Sequence, residues 1–235
     1  MPEATYNQFC PVAMAAEILG SRWTIVLIRE LCAGSTRFND LRRGVPRMST
    51  ALLSKRLREL EAHGIIERRS VEGNSSQHEY HLTAAGKDMT DVIMAIGIWG
   101  QRWIDTELHL DNSDPALLMW DMRRSINQGA LPLRRVNVQF NFNDVARNEA
   151  CWWVVSDPEH GVDLCLKDPG FFVDLYVETD IKTMTAIWMG LASVTSALSN
   201  DKLLLSGDTD VANGMHDWLG LSLFAPYEKQ VAPSD

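Results

Sequence analysis

Apolar residues recur at helical spacing through most of the first hundred positions and at strand spacing through much of the remainder. Val12, Ala15, Ala16 and Leu19 predict a short helix stopped at Gly20. Ser21 is the expected N-cap of a second helix, which carries Trp23, Val26, Leu27 and Leu31 on one face and ends at Gly34. Phe38 and Leu41 anchor a shorter third helix closed by Gly44 and Pro46. Ser49 caps a fourth that runs to about His63, with Gly64 as its stop. In that helix Leu53, Leu57 and Leu60 form one stripe toward a core. An alternating strand from Ile65 to Val71, a turn over Glu72 to Ser76 and a return strand from Glu79 to Thr83 predict a two-stranded ribbon. A long helix from about Ala84 to Trp103 closes the series. This order describes a winged helix-turn-helix, mainly α with a β wing.

The later pattern differs. An amphipathic helix is expected over Pro115 to Ile126, then strands at Val136–Phe142, Cys151–Val155, Val162–Leu166 and Phe171–Glu178. In the last run Phe171, Val173, Leu175 and Val177 alternate with Asp174, Tyr176 and Glu178. A helix over Ile181 to Leu198, a short strand at Leu203 to Asp208 and a last helix from Ala212 to about Leu221 complete an α+β order, with helices on one face of antiparallel strands. The polar segment at 107–114 is the expected linker between a first domain, 1–106, and a second, 115–235.

Charge sharpens the division. Residues 1–105 carry a net charge of +1, whereas the remainder carries −10. Between Arg37 and Arg69 nine Lys/Arg face four Asp/Glu, a local net of +5 in a chain of net −9. A basic stripe on an acidic chain suits DNA phosphate, and an acidic second half leaves DNA to the first. Projected around the fourth helix, Ala51, Ser54, Lys55 and Arg58 lie opposite the leucine stripe. Small residues keep that face thin enough to approach base edges, while Lys and Arg supply donors. Candidate DNA contacts are therefore Arg43, Arg47, Ser49, Thr50, Ala51, Ser54, Lys55 and Arg58, with Arg68 and Arg69 on the ribbon. In the long helix Met89, Val92, Ile93, Ile96, Trp99 and Trp103 form one stripe, with Met94 and Ile98 off it, which suggests burial on two sides and a homodimer seam.

Several motifs in order resemble the HxlR family of bacterial transcription regulators: Cys10-Pro11-Val12, Gly20 to Thr24, Arg37 to Arg43, Leu57 to Glu61, Gly64-Ile65-Ile66, Tyr80 to Thr83 and Gly86. The resemblance spans about residues 9–103. It implies a dimeric winged-helix repressor or activator on an inverted repeat in double-stranded DNA, in the cytoplasm. The ribbon tip Glu72 to His78 departs from the family's basic, Pro-containing pattern. Cys10 matches the cysteine that some members use to sense oxidants or electrophiles, and its place before a helix favours thiolate.

Residues 115–224 resemble the sterol carrier protein type 2-like domain, through Val173 to Asp180, Trp188 to Leu191 and Leu205 to Asp208. That resemblance implies an apolar tunnel for a hydrophobic small-molecule effector, lined by Phe140, Val154, Phe171, Val173, Met184, Trp188, Met215 and Trp218.

Other chemistry is not expected. Four cysteines, at 10, 32, 151 and 165, form no CxxC pair and are read as free thiols, with Cys32 and Cys165 as core. Six histidines show no metal-ligand spacing. P-loop, GxSxG, GxGxxG and complete calcium-loop patterns are missing, so no catalytic residue, metal or cofactor is expected and the chain is read as a non-enzyme. No signal peptide is evident, and the uncharged run from Thr183 to Asn200 holds too many Ser, Thr and Asn to be expected in a membrane. The alternatives are a thiol-switch regulator with a structural second domain, and a lipid carrier or interaction scaffold.

Overall fold

The protein is described from a computed structural model covering residues 5–71, 73–106, 110–111 and 113–230. It divides into two compact units, Met1–Gly97 and Ile98–Asp235. The division falls within a long helix, ahead of residues 107–114.

The first unit is α1 Pro11–Leu19, α2 Thr24–Cys32, α3 Phe38–Gly44, α4 Thr50–Ala62, a ribbon of β1 Ile66–Val71 and β2 Asn74–Leu82, and the start of α5 Ala84–Trp103. Its core joins Leu27, Ile28 and Leu31 of α2 to Leu41, Val45 and Met48, to Leu53, Leu57 and Leu60 of α4, and to Ile65, Ile66 and Ile93. The order matches the sequence pattern, with three differences. Thr24 N–H donates to the Ser21 carbonyl, so Ser21 acts through its backbone and Trp23 takes the cap position in a left-handed conformation, φ +78°. Val26 is exposed; Ile28 takes its place on the buried face of α2. The return strand begins at Asn74 rather than Glu79, pairing antiparallel with β1.

The second unit holds the end of α5, α6 Pro115–Ser125, a 3-10 turn Gln128–Ala130, β3 Val136–Phe142, β4 Cys151–Asp157, β5 Gly161–Cys165, β6 Leu175–Thr179, α7 Ile181–Trp188, α8 Val194–Ser199, β7 Leu203–Gly207, α9 Thr209–Asn213 and α10 Met215–Trp218. The sheet order is β5-β4-β3-β6-β7. All its pairs are antiparallel except β3 with β6, so the sheet is mixed rather than antiparallel throughout. Two expected helices are each broken in two. Gly190, φ +75°, follows α7, and a Cβ there would also stand 2.8 Å from the Ala225 Cβ. Gly214 separates α9 from α10.

Directly opposed residues share a sheet face. Val136, Val138, Phe140, Trp152, Val154, Leu175, Val177, Leu203 and Leu205 thus form the inner face, against α6, α7 and α10. Asn137, Gln139, Asn141, Trp153, Val155, Asp163, Cys165, Tyr176 and Glu178 form the outer face.

Here the tunnel expectation is corrected. Phe140, Met184 and Met215 are 0% accessible, Trp218 1% and Val154 2%. The wall of an open tunnel would still be touched by a water-sized sphere, and these residues are not; they are packed core. Trp188 packs against the same cluster, its indole N–H donating to Ser125 Oγ at 3.2 Å. Phe171 and Val173 lie ahead of β6 rather than in it, and Phe171 is exposed. Asn137 Nδ2 holds that segment off the sheet edge through the Phe171 and Phe172 carbonyls, at 3.3 and 3.4 Å.

Candidate nucleic-acid interface

α4 is built as a presented helix. Ser49 Oγ accepts from the Leu52 amide at 3.3 Å and caps its first turn, while Leu53, Leu57 and Leu60 anchor it in the core. A buried polar clamp fixes the helix that precedes it. Glu30, on α2, is fully buried; Ser35 Oγ donates to its Oε1 at 2.6 Å and Arg29 to its Oε2 at 3.2 Å. Arg29 also donates to the Gly44 carbonyl at 3.2 Å, tying α2 to the end of α3. Gly44 meets the clamp so closely that a Cβ there would lie 2.0 Å from the Glu30 carboxyl carbon. A buried carboxylate is tolerated because it is paired, and the same Arg29 guanidinium links α2 to the end of α3.

Opposite the leucine stripe, Thr50, Ala51, Lys55 and Arg58 are exposed. Ser54 is half-buried and its hydroxyl donates to the Thr50 carbonyl at 2.9 Å, leaving lone pairs to accept from a base edge. Lys55 Nζ stands 3.7 Å from Glu59, a weak i,i+4 pair that a phosphate can replace. Arg58 carries no ion pair among the described residues. Arg43 and Arg47, ahead of the helix, are exposed, Arg43 lying 3.6 Å from Asp40. On the ribbon Arg68 and Arg69 are exposed, and Arg69 pairs with Glu67. Of the ten candidates, Ser54 is half-buried and the others are exposed around α4 and the ribbon, with Ser49 spending its hydroxyl on the cap.

Two residues outside that set shape the face. Arg56, in the basic run but half-buried, donates to the Arg22 carbonyl at 3.2 Å and pairs with Glu59, so its charge braces α4 rather than facing outward. Arg37 pairs with Glu79 at 3.1 Å, and the Tyr80 amide donates to the Thr36 carbonyl at 2.8 Å, which docks the ribbon on the start of α3. Long-range pairings such as Arg37 with Glu79 and Tyr80 with Thr36 have no sequence signal, because their partners lie about forty residues apart.

Cys10 is exposed immediately before α1, and the Ala13 and Val12 amides draw its thiol pKa below the ordinary value. Cys32 packs against the first core. Cys165, expected in the core, instead faces outward from β5; burial and the nearby Asp163 carboxylate raise its pKa. No cluster of three metal-ligating side chains occurs among the described residues. No single helix among them is long and apolar enough to cross a membrane.

Comparison with known proteins agrees with the geometry. The family model for the HxlR-like helix-turn-helix matches residues 18–108. The HTH-type transcriptional regulator YvaP of Bacillus subtilis is 34% identical over 100 residues, covering 42% of this chain and 93% of that protein. The regulator sll1512 of Synechocystis is 37% identical over 101 residues, covering 43% of this chain and 75% of that protein. Among solved structures, the reduced form of the transcriptional regulator YodB from B. subtilis is 30% identical over 40% of this chain and 93% of its own, with a TM-score of 0.35. The chain belongs to the HxlR-like helix-turn-helix family of transcription regulators.

Proposed function

We propose that the protein is a cytoplasmic, homodimeric regulator, not an enzyme, that binds an inverted repeat in double-stranded DNA through one α4 per chain and responds to a small molecule through its second unit. The observation that carries the reading is α4 itself: a capped helix, pinned by three buried leucines, that turns a thin face bearing Lys55 and Arg58 to solvent. Dimerisation is supported by α5. Val92, Ile96, Trp99 and Trp103 recur at intervals of four, three and four residues and are exposed, an apolar stripe suited to a second copy. A sterol carrier-like second unit is supported by its α+β order and by helices packed on the inner face of its sheet; the packed interior argues against a standing lipid tunnel. An effector would act by favouring one placement of the two α4 helices.

The test is selection of bound fragments from genomic DNA, followed by anisotropy titration at several salt concentrations. Specific affinity at least about a thousandfold above that for random duplex is expected, with sedimentation giving two chains per DNA. Equal affinity for both DNAs contradicts the reading.

The exposed, acidified Cys10 thiol supports a second reading, a thiol switch. Under it, a mild thiol oxidant lowers DNA affinity in the wild type and leaves Cys10→Ser unchanged; an equal response in both rules it out.

A further inference from the structure

α5 ends at Trp103, and the last carbonyls of a helix have no partner further along it. Ile104 N–H donates back to the Gly100 carbonyl at 3.1 Å and closes the final turn. The carbonyls beyond are capped from 125 residues further along the chain. Lys229 Nζ donates to the Ile104 carbonyl at 2.6 Å and also reaches Thr106 Oγ1. Gln230 N–H donates to the Arg102 carbonyl at 2.8 Å. The Arg102 guanidinium lies 5.5 Å from the centre of the Tyr227 ring. An ammonium and an amide suit these carbonyls, because the helix dipole leaves negative charge at that end. All of these groups belong to the second unit.

The segment that supplies them does not join the core. Among the described residues, none after Leu219 belongs to the packed cluster of the second unit. Leu221 and Leu223 are exposed. The segment is fastened near its start, where Ser222 N–H donates to the Trp188 carbonyl at 2.8 Å and Ala225 stands against Gly190. From there two turns, Ala225 N–H on the Ser222 carbonyl and Tyr227 N–H on the Phe224 carbonyl, carry it to the end of α5. It is a strap, pinned at its root and laid over a helix end by a few polar contacts and one ring. Segments held with so little apolar burial open locally, far more easily than the whole molecule unfolds. Burial draws the Lys229 pKa below its ordinary value, so the ammonium holds its place against a desolvation cost. Trp99 and Trp103, both exposed, stand on the turns that the strap caps.

We propose that residues 222–230 are a releasable cap on α5. Closed, the strap keeps the last turn helical and holds Trp99 and Trp103 on one face. Open, it lets that turn fray and takes Trp103 out of the stripe. The consequence for assembly rests on the reading of α5 as the dimer seam: release weakens pairing, which gives the second unit a path to the arrangement of the two copies.

Hydrogen exchange of the full chain, read by mass spectrometry, tests the cap. Lys229→Met removes the ammonium and keeps the apolar stem. Tyr227→Leu removes the ring beside Arg102 and leaves Lys229 in place. In the wild type, residues 222–230 and 100–106 are expected to exchange with one opening constant, ahead of β3 and β6. In each variant both segments exchange faster by a common factor, about tenfold or more for Lys229→Met, while β3 and β6 keep the wild-type rate. A helix end that exchanges at the wild-type rate in both variants overturns the proposal. So do two segments that open independently in the wild type. Sedimentation of the same variants separates the strap from the seam. Faster exchange with a weaker dimer supports both. Faster exchange with an unchanged dimer dissociation constant upholds the strap and contradicts only the seam reading.

Discussion

The two units put the same kinds of residue to different use. In the first, a few charged positions define an outward face, and everything apolar serves to hold that face still. In the second, the most ordered apolar pattern produces a filled interior, and the polar chemistry gathers on the outside of the sheet. Charge placed opposite a leucine stripe is chemically specific, because a core rejects it. Alternating apolar residues are not, because a tunnel and a packed core demand the same alternation.

The largest way to break the comparison lies on α4. Lys55→Ala combined with Arg58→Ala is expected to cost about 2–6 kcal/mol of specific DNA affinity, at roughly 1–3 per contact, with the thermal unfolding midpoint unchanged. Anisotropy at fixed salt on the selected DNA checks it; wild-type affinity would remove α4 as the reading helix. In the second unit Phe140→Ala is expected to destabilise by about 3–5 kcal/mol, the cost of emptying a packed site. A chemical denaturation curve with a loss well below that range would mean that Phe140 borders free space after all.

Gly44→Ala tests the clamp. The added methyl collides with the Glu30 carboxyl, and overpacking of this kind costs about 1–3 kcal/mol. Unfolding and DNA titrations should both move; an unchanged unfolding midpoint would show that α2 and α3 are not locked at Glu30. The smallest effect is kinetic. Cys10, with its pKa lowered by backbone amides, should alkylate at lower pH and faster than Cys165, whose pKa is raised by burial and Asp163. The thiolate fraction rises as pH passes the pKa, so the pH–rate curve of Cys10 lies to the acid side of that of Cys165. Mass-spectrometric labelling over a pH series reads both, and the reverse order would contradict the site description.

Much of the first unit was legible because its signals are local. Ser49, the leucine stripe and Gly64 each act within a turn or two, and the fourth helix follows from them. Ser21 misled for the same reason: serine is the better capper by propensity, yet the chain caps α2 at Trp23, whose ring packs against the core. In the second unit, alternation continues from Phe171 through Val177, but Asn137 captures the first two of these residues from another strand, so the strand starts later. The breaks at Gly190 and Gly214 depend on close neighbours that sequence spacing does not reveal.

The central claim is that two copies of α4 read one inverted repeat. Chemical footprinting of the selected DNA tests it most directly. Two related half-sites, protected on the same side of the duplex and centred about one helical turn apart, roughly 34–36 Å, are expected. A single asymmetric footprint without dyad-related protection would contradict it.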